Sequence, residues 1–239
     1  GTNLALENLG NGEYGINLEY DALVENNVIG FNQLDGIRYG YGNASIKGNF
    51  IGVSRDFKDI GNKRSGIHAD AGIISFNYIG YNQAYGIRAA VYSVTIVDNF
   101  IGVYEGKAFG NKQYGVSLWS DNICKRNYFG NNQQGGIEVT DWFNHISQNI
   151  SFQVGTPAIF LNGPGNKSKQ AGSITSHTSA STSVTLYGTG LDGDSIEVFV
   201  STAAGELALV YAGFAKVSGT AWSLAIPKGA SWNPTANYH

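Results

Sequence analysis

The 239-residue sequence predicts an all-β protein, a prism of stacked coils with parallel strands followed by a small antiparallel sandwich. Three observations predict it. The figure Asn-x-Ile-Gly returns at Asn27-Val28-Ile29-Gly30, Asn49-Phe50-Ile51-Gly52, Asn77-Tyr78-Ile79-Gly80 and Asn99-Phe100-Ile101-Gly102, with a variant at Asn127-Tyr128-Phe129-Gly130 and a degraded copy from Asn149. Between these copies, Gly followed by Ile or Val stands at Gly15, Gly36, Gly66, Gly86, Gly115 and Gly136, at intervals of 21, 30, 20, 29 and 21 residues. Within each unit apolar residues alternate with period two and no window sustains helical spacing, so strands carry the repeat. A unit of about 20 residues cannot close a core alone and must stack on its neighbours.

Aligning the units gives three inward columns: Val24, Ile46, Ile74, Ile96, Cys124 and Ile146; Ile16, Ile37, Ile67, Ile87, Val116 and Ile137; and Ile29, Ile51, Ile79, Ile101 and Phe129. Three apolar columns around one axis describe parallel sheets whose neighbouring strands lie about 4.8 Å apart. Cys124, the single cysteine, sits in an aliphatic column and reads as a small buried hydrophobe. Two columns are asparagine: Asn27, Asn49, Asn77, Asn99, Asn127 and Asn149, and Asn11, Asn32, Asn62, Asn82, Asn111 and Asn132. Their amides are expected to form ladders at the corners, with the asparagines and glycines supplying left-handed backbone.

The long units carry insertions at residues 2–9, 53–60 and 103–109 on alternate coils. This row of loops either walls a groove or covers a hydrophobic corner with Leu4, Leu6, Phe57 and Phe109. After Asn166 the markers stop. Residues 1–167 form the coil domain, Ser/Thr/Ala-rich residues 168–182 read as a linker, and alternating strands in 183–239 read as an incomplete sandwich. Residues 1–3 match the middle of a repeat and residues 237–239 read as a strand beginning, so a piece of a larger polypeptide is expected, linked to further domains at both ends.

The paired Asn-x-Ile-Gly and Gly-Ile pattern resembles the right-handed parallel β-helix repeats of the pectate-lyase-like superfamily, over about residues 1–166. The stretches Gly193-Asp194-Ser195-Ile196-Glu197-Val198-Phe199 and Trp222-Ser223-Leu224 resemble immunoglobulin-like modules of secreted bacterial proteins. The first resemblance implies a right-handed β-helix, here of about six to seven coils; both imply a secreted or cell-surface location. The superfamily spans lyases, hydrolases, adhesins and non-catalytic carbohydrate-binding modules, so activity must be argued from residues.

A net charge of -3 and the lack of any basic run argue against nucleic acid and anionic membranes as partners. On the strand after each Gly-Ile, alternation turns the second and fourth residues after Gly outward: Asn17, Arg38, His68, Arg88, Ser117 and Glu138, then Glu19, Gly40, Asp70, Ala90, Trp119 and Thr140. Tyr20, Tyr41, Tyr92 and Trp142 edge the same sheet. Aromatic rings stack on sugar C–H faces while charged groups take hydroxyls. The expected carbohydrate-binding set is therefore Tyr20, Arg38, Tyr41, His68, Asp70, Arg88, Tyr92, Trp119, Glu138 and Trp142, and the expected ligand a plant cell-wall polysaccharide, xylan-like because the face carries both signs of charge. The alternatives are a lyase or hydrolase of a uronic-acid polymer using Arg38, His68, Arg88 and Asp70, and a structural spacer or adhesin segment. No catalytic residue, cofactor or metal is expected; Glu19, Asp70 and Glu138 are too scattered to indicate Ca²⁺.

Overall fold

The computed structural model describes residues 7–90, 93–152, 157–163, 165–168, 172–203 and 206–228, and the chain divides into two compact units, Gly1–Ser168 and Lys169–His239. The first unit is built from three parallel sheets, an arrangement compatible with a parallel β-helix. The first sheet stacks Ile16–Leu18, Ile37–Tyr39, Ile67–Ala69, Ile87–Ala89, Tyr114–Leu118, Gly135–Val139 and Ile159–Leu161 in sequence order. The second runs from Leu23–Glu25 to His145–Ser147, and the third from Val28–Ile29 to Ile150–Ser151. Register is one to one: Ile37 pairs with Ile67, Ile67 with Ile87, Ile46 with Ile74, and Ile51 with Ile79. All three apolar columns face the core, and a fourth, Tyr39, Ala69, Ala89, Leu118 and Val139, completes it. Burial pushes the Cys124 thiol up to about 12, which fits an inert core side chain.

Both asparagine ladders form. Each Asn of the first donates through Nδ2 to the Oδ1 of the next, as Asn49 to Asn77 at 3.0 Å and Asn77 to Asn99 at 2.9 Å. The second repeats this from Asn32 to Asn62 at 2.7 Å and Asn62 to Asn82 at 2.8 Å. The left-handed residues are not these asparagines. They are the residues just before them: Asn26, Phe76, Asp98, Arg126 and Gln148 before the first ladder, and Phe31, Tyr81 and Asn131 at rungs of the second. A ladder amide must reach both neighbouring coils from extended backbone, so the corner itself falls one residue earlier.

The insertions at 53–60 and 103–109 cover rather than wall. The residue between Asn and Ile in the marker points outward from the third sheet, and Phe50, Tyr78, Phe100 and Tyr128 stack there with ring centroids 4.6, 5.2 and 5.0 Å apart. Phe57 from one insertion packs on Phe50, Tyr78 and Tyr104, and Phe109 closes the other as a fully buried ring. Leu4 and Leu6 lie outside the described residues.

The second unit is antiparallel. Ser173–Ser179, Ser183–Thr189 and Ala221–Pro227 form one sheet, Ser195–Ala203 and Glu206–Lys216 another, and Val184, Leu186, Trp222 and Ile226 share a core with Val198, Ala215 and Val217. Reading 168–182 as a linker is corrected by Ser173–Ser179, which pairs with Ser183–Thr189 along its length. Only Ile174 of that strand is half-buried, so an almost wholly exposed Ser/Thr strand carries the composition of a linker. Residues 237–239 lie outside the described residues.

Candidate functional site

The outer face of the first sheet gathers most of the expected side chains. Register places Arg38 beside His68 and His68 beside Arg88 on successive strands. Arg38 Nη2 meets Asp70 Oδ2 at 2.9 Å and its Nη1 donates to the Tyr39 carbonyl at 2.6 Å. His68 lies between two carboxylates, with Nε2 3.9 Å from Asp70 Oδ1 and Nδ1 3.9 Å from Asp35 Oδ2.

Asp35 is the residue that sequence reasoning missed. It is 1% exposed; Oδ1 accepts the Ser65 backbone N–H at 2.8 Å, while Oδ2 is buried without a hydrogen-bond partner. Its signal was an acid directly before a Gly-Ile marker, where the other units carry Tyr14, Ser65, Tyr85, Tyr114 and Gly135. Both carboxylates stand beyond hydrogen-bond distance, but Asp35 Oδ2 is unpartnered while Asp70 is already bonded by Arg38, which favours the tautomer protonated at Nδ1 and leaves Nε2 an acceptor.

Burial, then the flanking Arg38 and Arg88 guanidiniums, push the His68 imidazole down to about 4 against the opposing pull of Asp35 and Asp70. The unfolded chain takes up this proton near pH 6.5 and the folded chain only near 4. The stabilisation is therefore full above pH 6.5 and is lost as pH falls through that window. Urea denaturation at pH 7.5 and 5 should show wild type losing roughly 2 kcal/mol more than His68→Gln, at about 1.4 kcal/mol per pKa unit. Equal losses would remove His68 as the cause.

Glu138 departs from its expected role. It points to the outer face yet is 7% exposed, because neighbouring columns cover it. Its Oε2 accepts from Ser117 Oγ and its Oε1 from Asn162 Nδ2, both at 3.0 Å, and the Tyr85 phenol bonds to it as well. Tyr114 stacks on Phe160 at 5.9 Å beside it. Glu138 is a buried acceptor organising this end of the sheet, and Ser117, expected to face outward too, is buried with it.

The aromatic edge is open. Tyr20, Tyr41, Trp119 and Trp142 are 77, 68, 41 and 44% exposed. Tyr20 and Tyr41 flank a shallow depression of about 320 Å³ lined also by Asn17, Glu19 and Arg38. Arg88 lies over the Trp119 ring, Cζ 5.7 Å from its centroid. A third asparagine ladder, Asn122 to Asn144 to Asn166, supports the Trp119 and Trp142 turns. Within it the Asn144 amide donates to the carbonyls of Trp119 and Asp141. Tyr92 lies outside the described residues.

Among the described residues no group of three His, Cys, Asp or Glu side chains is placed to hold a metal ion, and no helix is long and apolar enough to cross a membrane. Compared with family models and with curated proteins, the chain matches none.

Proposed function

We propose that the first unit is a non-catalytic module that binds a plant cell-wall polysaccharide of the xylan type along the outer face of its first sheet. The observation that carries this reading is the open edge of Tyr20, Tyr41, Trp119 and Trp142 beside a row of hydrogen-bonding groups on the same sheet. Rings held this way offer flat apolar faces to sugar C–H surfaces, and the adjoining carboxylate, imidazole and guanidinium groups match hydroxyls. The same reading takes the unit as a right-handed β-helix of six to seven coils from the pectate-lyase-like superfamily. The second unit is then an immunoglobulin-like module, in a secreted bacterial protein.

Affinity electrophoresis against xylan, arabinoxylan, pectin, alginate and β-glucan tests it. Retention by a xylan, without release of products, is the expected result. Trp119→Ala and Tyr41→Ala should each weaken retention about tenfold, or roughly 1.4 kcal/mol, the loss typical of an exposed aromatic anchor. Unchanged retention in both variants would remove this face as the site.

One observation favours a second reading, a lyase. Asp35, His68 and the two arginines resemble an oriented base beside positive charge, the set that proton abstraction next to a carboxylate requires. Unsaturated products absorbing in the ultraviolet would select it, and neither retention nor turnover would leave the spacer reading.

A further inference from the structure

Most charge on the outer face is matched locally. Arg38 is held by Asp70, and Glu138 is buried among Ser117, Asn162 and Tyr85. Arg88 differs. Among the described residues it has no carboxylate partner, and its guanidinium lies over the exposed Trp119 ring. On the adjacent strand, His68 Nε2 and Asp70 Oδ1 stand 3.9 Å apart. Asp70 Oδ1 is an acceptor, and so is His68 Nε2 in the tautomer that carries its hydrogen at Nδ1, toward the unpartnered Asp35 Oδ2; two facing acceptors call for a donor such as a hydroxyl.

We infer that Arg88, Trp119 and the His68–Asp70 acceptor pair form a subsite for one uronic acid residue carried on an otherwise neutral sugar chain. The inference rests on the polysaccharide reading and narrows its ligand. The spacing suits one sugar: strands lie about 4.8 Å apart, so a sugar set against the exposed part of Trp119 reaches Arg88 with its carboxylate and the acceptor pair with a hydroxyl. The guanidinium fork takes a carboxylate in two parallel bonds and is already oriented by the indole. Neighbouring positions offer further carboxylates no counter-ion. The Arg38 guanidinium is taken by Asp70, and in the other direction the same outward column carries Ser117 and then Glu138. A polyuronate bearing a charge on every residue would bring carboxylates to this face that meet no cation, and desolvating them unpaired disfavours binding.

The test is affinity electrophoresis at pH 7 on glucuronoxylan, on the same polymer after its carboxyl groups are reduced to alcohols, and on homogalacturonan. Wild type should be retained at least tenfold more strongly by native than by reduced glucuronoxylan, and no more strongly by homogalacturonan than by the reduced polymer. Arg88→Gln should erase the difference between native and reduced polymer, and Arg88→Lys should restore part of it. Thermal melts check that both variants fold. Equal retention on native and reduced polymer overturns the subsite and leaves the binding reading standing; no retention on either overturns both. Stronger retention on homogalacturonan overturns the isolated-uronate assignment, and discrimination surviving Arg88→Gln overturns the role of Arg88.

Discussion

Replacing Asn77 by Ala is expected to destabilise the first unit by about 4 kcal/mol, because it removes a rung from the middle of a buried ladder and leaves several backbone partners unmatched at about 1–3 kcal/mol each. The Asn77 amide donates to the Ile46 carbonyl, the Ser75 carbonyl and Asn99 Oδ1, each at 2.9 Å. Its Oδ1 accepts the Asn49 backbone N–H at 2.9 Å and the Asn49 amide at 3.0 Å. All of these groups lie away from water, so alanine leaves the Asn49 N–H without a partner and breaks the link between three coils at once. At about 2–4 °C per kcal/mol for a unit of this size, the melting midpoint should fall by roughly 10 °C. The control is Asn27→Ala at the exposed end of the same ladder, where the amide reaches only Glu25 and Asn49 and the expected cost is about 1 kcal/mol. Urea denaturation followed by circular dichroism reads both variants. Equal midpoints would mean that the ladder decorates the corner without holding it.

The ladders and the apolar columns were legible because stacked parallel strands turn a sequence interval into a spatial step: whatever recurs at the marker must sit above its copy. What the sequence hid depends on neighbours from other columns. Glu138 sits at an outward position by alternation, and its burial comes from Tyr85, Tyr114 and Phe160, which belong to a different column or a later strand. His68 and Asp70 were legible as a pair two residues apart on one strand. Asp35 was not, because its approach to His68 depends on how the turn before Gly36 enters the sheet. Corner residues misled for another reason. Composition assigns left-handed backbone to Gly and Asn, yet Phe31, Phe76 and Tyr81 adopt it at φ of 61, 56 and 56°. Packing over many coils can hold an aromatic residue in a conformation that costs roughly 1–2 kcal/mol in isolation. At the Gly-Ile markers the glycine therefore answers to something other than φ.

That requirement is space, and Gly66→Ala is the variant that exposes it. Gly66 is not among the left-handed glycines, so alanine meets no penalty from backbone conformation there. A Cβ on it would lie 2.7 Å from the Gly86 carbonyl oxygen, 2.8 Å from Asn82 Nδ2 and 2.8 Å from Ile79 Cγ2. The first contact is backbone in the next strand, and the second is a ladder amide bonded to Asn111 at 2.9 Å, so neither can rotate away. The same clash recurs up the column, with Gly36 facing Gly66, Gly86 facing Gly115 and Gly115 facing Gly136 through carbonyl oxygens at 2.7, 2.6 and 2.8 Å. Alanine appears in the column at Ala158, whose strand, Ile159–Leu161, ends the described sheet. Relief requires the coils above Gly66 to shift, which strains the Asn62–Asn82–Asn111 ladder together with the strand pairing. The expected cost is therefore about 3 kcal/mol, the upper part of the range for overpacking a close-packed interior. Gly106→Ala separates this effect from backbone conformation: Gly106 is left-handed at φ 74° with nothing within 4 Å of an added Cβ, and it should lose only about 1 kcal/mol. A Gly66→Ala loss no larger than that of Gly106→Ala would mean that the coils yield to a methyl group, and that the marker glycine is not what sets the distance between strands.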